Sequence, residues 1–337
     1  MKIHRPKTFA DFQGKANKSV VERLKVAISA SKKRNEPLGH ILLFGPPGTG
    51  KTTIANIIAN EMDSKLKTIT GGTIQTQKDL WILLYDIYTA HDANINTILF
   101  IDECHRLARS DFPEETYLPL LEDFCFYHNL EGECKFRGQV FDIYSNVVKL
   151  KPFTIIGATT DPGMLSNAFR QRFQTSCFLK EYSVEDIQDI IRGYSKINKI
   201  VVNEDAITEI AIRSRMNPRV SINFLKSSHD LIIAKDKNEI TRDIVTEEMD
   251  MQEVDINGLV EADYRILLTL ANHPKGLGIK NLGGCCGIDK STIEEIYEPY
   301  LKRKGYTETR NKRFITDNGL KLLIEKGLLT EREENGT

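Results

Sequence analysis

The chain has 337 residues, enough for two or three domains with cores of their own. Hydrophobic residues make up 40% and charged residues 28%, an ordinary soluble balance, and no apolar run reaches membrane-spanning length. A formal net charge of −1 excludes a global basic field, so any nucleic-acid surface must be local.

The opening "MKIHRPKTFADF" lacks the apolar core of a signal peptide. Six cysteines are scattered without a C-x-x-C pair, and Cys285 and Cys286 stand together with no histidine cluster nearby. The expectation is a cytoplasmic protein with reduced thiols and no zinc site.

His40 to Phe44 is a short apolar run of strand length. "GPPGTGKT" follows, comprising Gly45, Pro46, Pro47, Gly48, Thr49, Gly50, Lys51 and Thr52, and matches G-x-x-x-x-G-K-[ST]. An apolar-periodic helix is predicted from Thr52, with Thr53 in its first turn, to Met62. Strand, glycine loop and helix is the order that phosphate binding requires. The glycines let backbone N–H groups turn toward phosphate oxygens at a helix N-terminus, which already favours anions. Lys51 can reach the β- and γ-phosphates of ATP, and the Thr52 hydroxyl can ligate Mg²⁺.

"LKTIT" is a second strand candidate, followed by an amphipathic helix from Gln77 to Thr89. Thr97 to Ile101 then reads as a buried parallel strand ending in Asp102 and Glu103. An acidic pair at a strand's carboxyl end faces the ligand crevice of an open α/β sheet. Asp102 is expected to hold Mg²⁺, usually through water, and Glu103 to polarise the attacking water. "DECH" is similar to the D-E-x-H box of some helicases, but the downstream motifs fit another family better, and His105 reads as a neighbour only. The next strand, Phe153 to Gly157, ends near Thr159 and Thr160, and Thr160 is the choice to orient the lytic water.

"SNAFRQRF" sets Arg170 and Arg172 one residue apart between apolar residues. Phosphoryl transfer spreads charge over the γ-phosphate, and an added guanidinium can accelerate it by ~10³–10⁵ fold. A segment after the "GATT" strand tends to face a neighbouring subunit's nucleotide, so an arginine finger in trans is expected. A helix then starts near Ser183, with Glu185 in an N-terminal capping role. More amphipathic helices follow to about Glu253. Among them Asn217 is an N-cap, Pro218 lies in the first turn, and Arg219 stands at the helix start, where an anion such as phosphate would suit it.

From about Asn257 the character changes. "LVEADYRILLTLANHP" is a helix, and two more surround a glycine-containing turn, as in helix-turn-helix layouts. "YTETRNKRFITDNG" reads as a β-hairpin wing. Between Pro299 and Ile315 six basic residues face one acidic residue, Glu308. Arg310, Lys312 and Arg313 are the candidate contacts to DNA phosphates, without base reading.

The P-loop, "IDE", "GATT", "RQRF" and "NPR", in this order, resemble the AAA+ ATPases. "ILFIDECHRL", "PFTIIGATTDPGML" and "TIEEIYEPYLKRKGY" further resemble the RuvB family of branch-migration motors, over nearly the whole chain. The resemblance implies an α/β P-loop AAA+ domain with a parallel sheet (residues 1–181), a small all-α lid (182–255) and a C-terminal winged-helix domain (256–337). It implies an ATP hydrolase that drives Holliday junction branch migration in recombination and repair, as a homo-oligomeric, hexameric ring on double-stranded DNA. It makes Arg172 the trans finger with Arg170 beside it, and Arg219 a second sensor in cis. It places Arg5, Pro6, Phe12, Tyr182 and Pro218 around the adenine. The rival readings are a clamp-loader-type ATPase, disfavoured by the "EPYL" winged-helix end, and a nucleotide-switched DNA-binding regulator. Residues 124–150 depart from the family: the hairpin that docks a RuvA-type partner is longer here, which leaves that partner open and is compatible with a phage or divergent version.

Overall fold

The computed structural model describes residues 6–92, 96–109, 117–127, 132–136, 139–143 and 147–330. Arg5 lies outside the described residues. The chain divides into two compact units, one running up to Ile200 and including Met216–Ile222, the other made of Val201–Arg215 and the chain from Asn223 onward.

The first unit is built on a five-stranded parallel sheet. After α1 (Lys18–Arg34) come β1 (Ile41–Phe44), α2 (Lys51–Glu61), β2 (Lys65–Thr70), α3 (Gln77–Asp92) and β3 (Thr97–Asp102). α4 (Leu118–Glu122) leads to four short strands, β4 (Cys125–Tyr127), β5 (Gly132–Phe136), β6 (Gln139–Ile143) and β7 (Val147–Lys149). β8 (Thr154–Thr159), α5 (Asn167–Gln171), β9 (Thr175–Phe178) and α6 (Val184–Asn198) complete the unit. The sheet order is β2-β3-β8-β1-β9.

A parallel sheet is covered on both faces, which is why its strands read as unbroken apolar runs. Leu42, Leu99, Ile101 and Ile155 point to one face, where Leu84 and Ile87 of α3, Leu121 of α4, and Phe169 and Phe173 pack. Ile41, Leu43, Ile98, Phe100 and Ile156 point to the other, under Leu24 and Ile28 of α1 and Ile54, Ile57 and Ile58 of α2. Each fully buried Ile or Leu contributes about 1.5–3 kcal/mol of transfer free energy, so the sheet is pinned from both sides. From β1 the chain crosses to β2 beyond β8 and β3, whereas β8 leads to β9 on the other side of β1. That reversal of direction is where open α/β sheets bind ligands.

Within 124–150 the described residues form two antiparallel pairs, β4 with β7 and β5 with β6, and the segments that join these strands lie outside the described residues. The predicted cap at α6 needs one correction. The capping box is formed by Ser183 and Asp186, not Glu185, because the reciprocal bond requires the third helical residue. Asp186 also accepts from the backbone N–H groups of Lys15 and Ala16, which ties the N-terminal segment to α6.

α7 (Glu204–Arg213) and α9 (Arg242–Met251) lie in the second unit, and α8 (Pro218–Ala234) begins in the first. α10 (Glu261–Ala271), α11 (Ile279–Cys286) and α12 (Lys290–Thr292) follow. A π-helical turn at Ile293–Tyr297 carries the chain into α13 (Glu298–Arg303), where Pro299 supplies no N–H. The predicted wing is the antiparallel pair β10 (Thr307–Thr309) and β11 (Arg313–Ile315), before α14 (Asp317–Glu325). Leu259, Ile266, Leu267, Leu301 and Leu323 are fully or nearly fully buried at its centre.

Candidate active site

The loop after β1 has the backbone that its glycines foretell. Gly48 sits at φ +82°, and a Cβ there would lie 2.5 Å from Asn217 Oδ1, so a side chain is excluded twice over. The Lys51 ammonium donates to the carbonyls of Gly45 (2.7 Å) and Pro46 (3.0 Å), and the Thr49 hydroxyl donates to Pro46 O at 2.9 Å. Burial lowers the Lys51 pKa, while the neighbouring Glu103 and Asp102 charges oppose that shift. Thr52 and Thr53 open α2 half-buried, and Pro47 is exposed at the tip.

Adjacent strands β3 and β8 bring their carboxyl ends beside this loop. Asp102 is half-buried, and burial followed by the Glu103 charge raises its carboxyl above the ordinary value. Glu103 adopts φ +48°, a conformation sparsely populated outside glycine. Its carbonyl lies 2.5 Å from where a Gly71 Cβ would stand, so only glycine lets the end of β2 approach it. Glu103 Oε2 accepts from Thr160 N (3.3 Å) and Thr160 Oγ1 (3.1 Å). The structure therefore brings Glu103 and Thr160 together. It adds His105, whose Nδ1 lies 3.2 Å from the same oxygen. Sequence reasoning passed over this histidine, and the D-E-x-H spacing was the signal that could have flagged it.

Phe12 and Tyr182 converge on the loop from outside the motif. A Cβ on Gly50 would meet the Phe12 ring at 3.2 Å, and the Tyr182 hydroxyl donates to Thr49 O at 2.9 Å. Pro6 and Pro218 are half-buried. Asn217 caps α8 as expected, accepting from Arg219 N at 2.9 Å. Exposed Arg219 acts electrostatically on both Lys51 and Asp102, which puts its charge within range of the loop.

The other two groups stand apart from these contacts. Arg170 is exposed and bonds to Asn167 on its own helix. Arg172 donates to Ala168 O at 2.6 Å and pairs with Glu122 at 3.2 Å, and among the described residues none of its partners belongs to the P-loop. The flanking Phe169 and Phe173 anchor it on the face opposite α2. In the wing, Arg310 and Lys312 are exposed, with Arg310 paired to Glu308 and Lys312 bonded to Lys275 O at 3.4 Å. Arg313 differs from its expected exposure. Its side chain is only 16% exposed, and its guanidinium pairs with Glu294 (3.1 Å) and Glu298 (3.2 Å). Burial would raise the Glu298 carboxyl, but Lys302, Thr309 and Arg313 hold it below its ordinary value.

The model of the Holliday junction DNA helicase RuvB P-loop domain matches residues 4–179, that of the RuvB AAA lid domain 182–255, and that of the RuvB C-terminal winged helix domain 256–324. The chain belongs to the RuvB family. The Holliday junction branch migration complex subunit RuvB of Fervidobacterium nodosum is 39% identical over 304 residues, 90% of this chain and 83% of that one. Its counterpart from Lactobacillus johnsonii is 39% identical over 93% of this chain and 88% of its own. Among solved structures, the Thermotoga maritima RuvB Holliday junction branch migration motor superposes with a TM-score of 0.76. It is 32% identical, and the match covers 95% of this chain and 98% of that one. Membership of the RuvB family, through its P-loop domain, implies nucleotide binding. No described helix is long and apolar enough to cross a membrane.

Proposed function

We propose that this chain is an ATP-hydrolysing motor that moves double-stranded DNA through four-way junctions, working as a homo-oligomeric, hexameric ring with nucleotide at each subunit boundary. The observation that carries the reading is the convergence, at the ends of adjacent strands β1, β3 and β8, of Lys51, Asp102, Glu103 and Thr160. The names of the relatives point the same way: they are subunits of branch migration complexes.

In this reading the loop N–H groups and Lys51 bind the phosphates, and Arg219 supports the γ-phosphate in cis. Phe12 and Tyr182, with Arg5, Pro6 and Pro218, hold the adenine. Glu103 takes the proton of the attacking water, Thr160 orients that water, and Arg172, with Arg170 beside it, supplies charge to the neighbour's γ-phosphate. One carboxylate and one hydroxyl beside a phosphate loop suit Mg²⁺, and a cation would offset the desolvation and the Glu103 charge that raise Asp102. Asp102 and Thr52 would hold it, and it would neutralise phosphate charge. The exposed Arg310 and Lys312, with Arg313 behind them, would meet the DNA backbone.

The test is branch migration of synthetic four-way junctions with ATP, with and without a RuvA-type partner. Strand exchange that needs ATP and stops in Glu103→Gln supports the motor. Nucleotide-dependent DNA binding with no exchange under either condition would instead support a regulator.

A further inference from the structure

Glu103 is held by more than the residues assigned to the chemistry. His105 sits on the turn that follows it, 8% exposed, and its Nδ1 meets the Thr159 hydroxyl at 2.9 Å. That hydroxyl also accepts the Asp161 N–H at 3.0 Å, so the ring is fixed against the end of β8. From this position Nδ1 lies 3.2 Å from Glu103 Oε2, the same oxygen that accepts both Thr160 donors. An ionised carboxylate has no proton to give, so the approach is attractive only when Nδ1 carries hydrogen.

We propose that His105 is a positioning residue for the catalytic base: its single Nδ1–H, shared between the Thr159 hydroxyl at 2.9 Å and Glu103 Oε2 at 3.2 Å, fixes that carboxylate oxygen and leaves Oε1 to meet the water. The positive φ of Glu103 gives this a physical purpose. A sparsely populated backbone conformation persists only where the surroundings over-determine it, and a base displaced by about 1 Å can lose on the order of 10²-fold in rate. Thr160 alone would hold one oxygen from one side. His105 adds a second, buried anchor from the turn, and it links the base to β8 through Thr159 as well as through Thr160. The proposal rests on Glu103 being the base.

The experiment compares His105→Ala, His105→Asn and His105→Gln with the parent chain, and includes Glu103→Gln. Steady-state ATP turnover, ATP affinity and thermal melting are measured for each. An Asn amide reaches roughly the Nδ1 position, whereas a Gln amide reaches the Nε2 position. The expected result is kcat lowered about 10–100-fold in His105→Ala at little-changed ATP affinity. His105→Asn should recover most of that loss and His105→Gln should not. Undiminished kcat in His105→Ala, or equal activity of the Asn and Gln variants, overturns the proposal. So does a loss confined to ATP affinity. If His105→Ala does not fold, the Asn–Gln comparison alone decides, since both fill the buried space. Full turnover in Glu103→Gln would overturn the assignment of the base itself, which the histidine variants alone cannot do.

Discussion

In the proposed motor Lys51 and Glu103 have different work on one nucleotide, and single substitutions separate them. Lys51→Ala removes the buried ammonium that the loop carbonyls hold, so nucleotide affinity should fall and turnover with it. Glu103→Gln keeps shape and phosphate contacts but cannot take a proton, so ATP should stay bound while kcat drops by roughly 10²–10⁴ fold. Fluorescent-nucleotide titration against steady-state turnover distinguishes the two, and near-normal turnover in Glu103→Gln would place the base elsewhere. A third residue governs stability in acid. His40, at the start of β1, is 5% exposed and accepts the Ile155 N–H at Nδ1. Burial pushes its pKa down from 6.5 to about 4. Between those values the unfolded chain takes up a proton that the folded chain refuses. Stability should therefore fall as pH drops from about 6.5 to 4, by roughly 3 kcal/mol at about 1.4 kcal/mol per pH unit. Asp102 and Asp263, raised chiefly by burial, contribute with the opposite sign, so the comparison is with His40→Asn. Melting curves from pH 7.5 to 4.5 should converge for the two proteins if His40 is the cause. Parallel curves would assign the acid sensitivity to other groups.

At the scale of the element, the wing shows what a charge count can and cannot say. Arg310 and Lys312 are exposed on the turn between β10 and β11, whereas Arg313 is bound to Glu294 and Glu298 beneath it. Replacing Arg310 and Lys312 by Ala should leave melting unchanged, weaken binding to duplexes of any sequence, and reduce the salt slope by about one per lost phosphate contact. Arg313→Ala should instead lower stability by about 2 kcal/mol, because nearly buried Glu298 loses a charged partner. DNA affinity unchanged across salt in the first variant would remove the wing from the DNA interface. The run of basic residues was legible in the sequence. Which guanidinium turns inward was not, since that depends on acids brought near by the π-helical turn and α13. The same division runs through the first unit. Continuous apolar runs disclosed β1, β3 and β8 to within a residue or two, because burial on both faces leaves no polar alternation to confuse them. α1 was not assigned, and its buried stripe of Val21, Leu24 and Ile28 is interrupted by exposed Lys and Glu. The motif residues at the site were legible. The contact of His105 with Thr159 joins positions 54 apart, and it exists only once β3 and β8 pair.

At the scale of the whole molecule, the proposed ring makes each active site from two chains. Arg172 is bonded to Ala168 O and paired with Glu122, whose side chain is 54% exposed. It is thus held ready by a bond to its own helix and a solvent-reached ion pair, and among the described residues by none of its own phosphate loop. A finger that acts on a neighbour needs this: enough order to fix direction, and little binding energy to give up when a stronger anion arrives. Arg172→Ala should therefore bind ATP normally and hydrolyse it poorly, since the guanidinium matters only as charge develops on the γ-phosphate next door. Lys51→Ala keeps its arginine and lacks a usable nucleotide site. Mixing the two inactive proteins places some intact phosphate loops against an intact Arg172, so part of the activity should return, and it should vary with the mixing ratio. An arginine acting in cis would leave every subunit of the mixture defective, and a surface arginine would leave Arg172→Ala active from the start. If mixed rings form, shown by co-purification of differently tagged chains, and activity does not return, Arg172 does not serve its neighbour. Arg170, exposed one turn edge away, becomes the residue to test by the same mixing.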